Sequence, residues 1–118
     1  MEKIVMTEDQ EQTALFKWLD AKGILAFAIP NGGHRDLVTA TIMKRTGTKR
    51  GVPDIFIPIP TKRAHGLFIE MKRKDGGVVS KYQQEWIEKL IDNGYDAVVC
   101  KGAEEAIKMI GLYLEEQF

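Results

Sequence analysis

The six residues Leu67-Phe68-Ile69-Glu70-Met71-Lys72 constrain this chain more than any other stretch. In an extended strand residues i and i+2 share a face, so Glu70 and Lys72 point one way while Leu67, Ile69 and Met71 point the other. Any fold must bury the apolar side of this strand and find partners for the charges on its opposite side. Asp54 opens a neighbouring apolar stretch, Ile55-Phe56-Ile57, bounded by prolines at both ends. A hairpin between the two, turning near Arg63, is expected to bring Asp54 opposite Lys72 and its carboxylate close to that of Glu70.

The rest of the chain supplies the elements such a hairpin needs. Thr7, followed by Glu8, Asp9 and Glu11, is a helix start, and the helix should run to Ala21 with Leu15, Trp18 and Leu19 inward and Gly23 stopping it. Ile24 to Ile29 reads as a buried strand, Pro30 to Gly33 as a loop, and Asp36 to Thr46 as a second helix carrying Leu37, Ala40, Ile42 and Met43. After Asp75-Gly76-Gly77, Ser80 should cap a helix to about Asp92 with Trp86, Ile87, Leu90 and Ile91 inward. Ala97 to Cys100 reads as a strand, and Ala103 to about Glu116 as a last helix. The order α, β, α, β, β, α, β, α predicts one sheet flanked by helices, an α/β fold.

At 118 residues and 13.3 kDa the chain is expected to form a single domain over residues 1–118, since a second independent core needs more surface to bury. No apolar run approaches the roughly 20 residues that span a bilayer, so no membrane is expected. Cys100 has no partner for a disulfide, and the first ten residues lack a secretory signal, which together predict a reducing cytoplasm.

Lys and Arg number 17 and Asp and Glu number 17, yet the charges are segregated. Residues 44 to 74 hold nine bases and two acids, whereas residues 85 to 118 hold three bases and eight acids. Such a middle segment suits an anionic partner, and its two acids, Asp54 and Glu70, are the ones the hairpin brings together. Like charges a few ångströms apart raise one another's pKa, while a divalent cation would hold both ionised, so an oxygen-ligand site for Mg²⁺ (or Mn²⁺) is expected. Beside a phosphodiester, that cation would polarise an oxygen and acidify water, with Lys72 orienting the water or stabilising developing charge. A further acid or amide should come from the first helix, where Glu8, Glu11 and Gln12 lie on roughly one face with Leu15.

Other chemistries find no footing. There is no Gly-Lys-Ser/Thr loop and no GxGxxG, and His34, His65 and Cys100 lack zinc-ligand spacing. Cys100, within an apolar strand, reads as core, as do Trp18 and Trp86 on their helical stripes.

Through Pro53-Asp54, Glu70-Met71-Lys72, Gln83 and the Pro30-Asn31-Gly32-Gly33 loop, the sequence resembles the VRR-NUC branch of the PD-(D/E)XK nuclease superfamily over nearly its whole length, in particular its stand-alone virus- or bacterium-type members. The resemblance implies a restriction-endonuclease-like mixed β-sheet flanked by helices, and metal-dependent hydrolysis of phosphodiester bonds in branched or structured DNA such as Holliday junctions. It makes Asp54 and Glu70 metal ligands, the carbonyl of Met71 a further ligand, and Asp54, Glu70, Lys72 and Gln83 the catalytic residues, with Gln83 sitting beside the site. A helix-one glutamate completes the pattern, with Glu8 and Glu11 both fitting. DNA phosphates are then expected to meet Lys44, Arg45, Lys49, Arg50, Arg73 and Lys74, with His34 and Arg35 as further DNA-binding candidates. The alternatives are a non-catalytic DNA-binding or assembly module with this fold, and a restriction-type enzyme reading duplex sequence. A homodimer is expected because two symmetric sites suit two strands, with Leu112, Tyr113 and Phe118 either at the contact or packed on the sheet.

Overall fold

The structure is a computed structural model that describes residues 5–30 and 36–118; the expectations attached to Asn31, Gly32, Gly33, His34 and Arg35 lie outside the described residues. Local signals set the helices. Thr7 accepts the N–H of Gln10 (3.1 Å) while the Gln10 side chain accepts the N–H of Thr7 (2.9 Å), a reciprocal cap that starts α1 (Glu8–Lys22). Gly23, at φ 66°, ends it in the left-handed conformation. Asp36 caps α2 (Leu37–Arg45), and a second reciprocal cap, Ser80 with Gln83, starts α3 (Lys81–Asp92). The last helix is α4 (Ala103–Leu114), ending two residues before the expected Glu116.

Four strands form one mixed sheet in chain order: β1 (Phe27–Ala28), β2 (Ile55–Ile57), β3 (Leu67–Lys72) and β4 (Asp96–Lys101). The first two pairings are antiparallel, and β3 pairs with β4 in parallel, with α3 as the crossover between them. The alternation within β3 holds. Ile55, Ile57, Leu67, Ile69 and Met71 are buried with Leu15 and Leu19 of α1 and Ala106, Ile110 and Tyr113 of α4. On the opposite face Phe56 stands across from Phe68 with rings 4.2 Å apart, and Phe27 and Tyr95 meet them edge-on. Glu70 and then Lys72 continue that face toward the end of the sheet.

Three expectations need correction. Ile24 to Ile29 is not a buried strand: only Phe27 and Ala28 pair, both exposed, because β2 is three residues long between prolines and offers an edge strand little to bond. The hairpin register differs too. Ile55 pairs with Ile69, so carrying the register one step further sets Asp54 against Glu70 rather than Lys72. Ile91, expected inward, is half exposed, and only Ile87 of α3 is fully buried. Tyr113 belongs to the core: it is 2% exposed and its hydroxyl donates to the carbonyl of Ile59 at 2.7 Å, which withdraws it from any contact with a second copy. On α2, Leu37, Val38 and Ile42 are exposed and Met43 is half-buried.

Candidate metal centre

Asp54 is fixed by backbone at both ends. Its carbonyl accepts the N–H of Ile29 (2.6 Å), continuing the β1–β2 ladder, and its Oδ2 accepts the N–H of Met71 (2.8 Å). Since a strand residue's N–H and C=O face the same edge, the Met71 carbonyl turns toward Asp54 as well. The residue across from Met71 in this register is Pro53, buried and without an N–H, so the ladder donor that this carbonyl would otherwise meet is missing. The proline beside the aspartate thus offers no N–H to that carbonyl.

Glu8, Asp54 and Glu70 each bring a carboxylate oxygen within 4.8 Å of the others. The cap at Thr7 is what puts Glu8 there, since it fixes where α1 begins. Glu70 is 1% exposed, and its Oε1 is buried with no hydrogen-bond partner. The ammonium of buried Lys72 lies 3.7 Å from Glu70 Oε2, a charge contact longer than a hydrogen bond. Burial pushes the Glu70 carboxyl up to about 9, reinforced by Asp54, which can hydrogen-bond it only when one of the two carries a proton, and opposed by Lys72. The Glu8 carboxyl is also raised, by burial first and then by Asp54. One ammonium does not balance three carboxylates. A hard divalent cation would fit this donor set, and an unsatisfied buried carboxylate oxygen is the feature it would correct.

Glu11 is not in this group. One turn along α1 and buried, it accepts the N–H of Ala103 at 3.2 Å, capping the N-terminus of α4, where Gly102 has no side chain to do so. Of the two helix-one glutamates, Glu8 lies with the carboxylates and Glu11 caps α4. Gln83 is likewise occupied, its Oε1 accepting the N–H of Ser80 at 2.8 Å in the α3 cap.

A cleft of about 460 Å³ adjoins the cluster, lined by Val5, Met6, Glu8, Lys72, Arg73 and Val78 among others. Its Gly76-Gly77 floor is required by packing, because a Cβ on Gly77 would come within 2.7 Å of Lys72 Cβ. Arg73 and Lys74 are exposed, Lys74 sitting 3.6 Å from Glu104. Lys44, Arg45, Lys49 and Arg50 are exposed on α2 and the loop after it, and the Arg50 guanidinium lies over the Tyr82 ring. Sequence reasoning missed Tyr82 and the cleft walls; the double glycine after Lys72 was the available signal for the second.

The VRR-NUC domain family pattern matches residues 6–104. A solved structure described as a VRR_NUC domain protein is 32% identical, covering 95% of this chain and 91% of its own with a TM-score of 0.82. No individually curated protein matches. Among the described residues no helix is long and apolar enough to cross a membrane. The family pattern over residues 6–104, together with 32% identity to that structure across almost all of both chains, makes this protein a member of the VRR-NUC family, a nuclease-fold domain that processes DNA.

Proposed function

We propose that this protein is a metal-dependent DNA endonuclease that hydrolyses phosphodiester bonds, acting on branched or structured DNA such as four-way junctions, with Mg²⁺ or Mn²⁺ as its cation. The observation that carries the reading is the buried, unpartnered Oε1 of Glu70 within a carboxylate trio beside a buried lysine. Glu8, Asp54, Glu70 and the Met71 carbonyl would hold the cation. When bound, it supplies polarisation of a phosphate oxygen and acidification of nearby water. Lys72 places positive charge where the phosphate gains negative charge, with Glu70 beside its ammonium and Gly77 packed on the base of its side chain. Arg73, on the wall of the adjoining cleft, grips a phosphate of the strand being cut.

Branched substrates rest on kinship with the VRR-NUC family, a cytoplasmic setting on the single cysteine, Cys100, and a dimeric form on the two strands of a junction. Two symmetric sites suit the two strands of a junction, and the exposed Leu37, Val38 and Ile42 of α2 offer an apolar surface for a second copy. The test is cleavage of a labelled four-way junction and a linear duplex, each with Mg²⁺ and with EDTA. Cutting of the junction that needs the cation and disappears in Asp54→Ala is expected; undiminished cutting by Asp54→Ala overturns the assignment.

A further inference from the structure

We propose that Arg50 and Tyr82 form a preset phosphate-binding site for the DNA backbone, with Tyr82 as the positioning residue that aims Arg50. This rests on the reading of the chain as a DNA-cleaving enzyme and adds a contact outside the carboxylate cluster. The guanidinium carbon of Arg50 lies 4.3 Å from the centre of the Tyr82 ring. At that distance the flat face of the guanidinium can meet the ring, which leaves its N–H groups, lying in its own plane, free to grip a phosphate in two-point fashion.

The contact is anchored by backbone as well as by the ring. Gly51, at φ 91°, sits so close to α3 that a Cβ there would lie 2.6 Å from the carbonyl carbon of Tyr82. Only glycine suits both that conformation and that approach. Two residues on, Pro53 is fully buried, and the Asp54 carbonyl is bonded to Ile29. The segment from Gly51 to Asp54 is thus pinned at several points, and Arg50 projects from its start. Lys44 and Arg45 stand on α2, which has no buried residue, and Lys49 is exposed in the following loop. Of these four bases, Arg50 is the one whose side chain rests over a ring, so it loses the least freedom on meeting a phosphate.

Position gives the site its role. Arg50 and Asp54 are four residues apart, so their Cα atoms are at most about 14 Å from one another. A phosphate held by Arg50 belongs to the same stretch of backbone as the one at the carboxylates, a short distance along. The site therefore sets the register of the strand over the cluster without touching the reacting atoms.

Binding of an uncut four-way junction in EDTA separates this from catalysis. Affinity is measured across a salt series for wild type, Arg50→Ala, Tyr82→Leu, Tyr82→Phe and the Arg50→Ala/Tyr82→Leu pair. Leucine keeps apolar bulk and removes the π-face; phenylalanine keeps the ring. Tyr82→Leu should weaken binding about two- to fivefold, the worth of an exposed cation–π contact, and Tyr82→Phe should restore it. Arg50→Ala should make the slope of log K against log salt shallower by about one unit, and the pair should bind no worse than Arg50→Ala alone. In cleavage assays the Tyr82→Leu loss should fall on KM. Undiminished binding by Tyr82→Leu, failure of phenylalanine to restore it, or additive losses in the pair overturn the proposal. Wild-type protein that binds in this pattern without ever cutting removes the endonuclease reading and leaves the phosphate site standing.

Discussion

Asp54 Oδ2 accepts the backbone N–H of Met71, the residue between Glu70 and Lys72, at 2.8 Å. One aspartate therefore supplies negative charge to the carboxylate group and ties the end of β2 to β3. An asparagine retains an oxygen acceptor for that N–H but not the charge. Asp54→Asn should melt within a few degrees of wild type while cleavage falls on the order of a hundredfold or more. Asp54→Ala should lose stability as well as activity. Thermal melts by circular dichroism beside initial cleavage rates check both.

Glu70 carries a stability cost that depends on pH. Its carboxyl is raised from 4.5 to about 9 in the cation-free fold, mainly by burial, so the folded state holds a proton that the unfolded chain has released over that range. Where the folded state binds more protons, stability falls as pH rises. Melting temperatures in EDTA should accordingly decline between about pH 5 and 9. Glu70→Gln, which cannot ionise, should flatten that decline, melt higher than wild type at neutral pH, and cleave nothing. Added Mg²⁺ should raise the wild-type melting temperature, and the rise should shrink in Glu70→Gln.

Glu8 and Glu11 sit one turn apart on α1 and should fail in opposite ways. Glu11→Ala removes the acceptor of the Ala103 N–H and should cost about 1–2 kcal/mol of stability, with the rate per folded molecule largely kept. Glu8→Ala relieves repulsion by Asp54 and Glu70 and should leave the melt unchanged or higher while abolishing cleavage. Equal losses of cleavage in the two variants, measured at a temperature where both are folded, would contradict the division of labour.

Why these two glutamates could not be separated in the sequence is instructive. Both lie on the side of α1 that bears Leu15, and which of them meets β3 and which meets α4 depends on how the helix is rotated and slid over the sheet, which its own residues do not encode. Thr7, Ser80 and Gly23 were legible because caps depend on neighbours within four residues. The faces of β3 were legible because a strand repeats every two residues. Register was not, since nine residues separate Ile57 from Leu67 and no short turn fixes the pairing, so that Asp54 meets Glu70, two residues along β3 from the expected Lys72. The length of β1 depended on how many N–H groups β2 could offer between its prolines, a property of the partner strand.

Met71 has its side chain wholly within the core and its backbone beside Asp54 and Glu70. A methyl group gained or lost beneath it would shift the very atoms that face the acids, so hidden substitutions among Leu15, Leu19 or Ile110 can tune turnover without altering any charged residue.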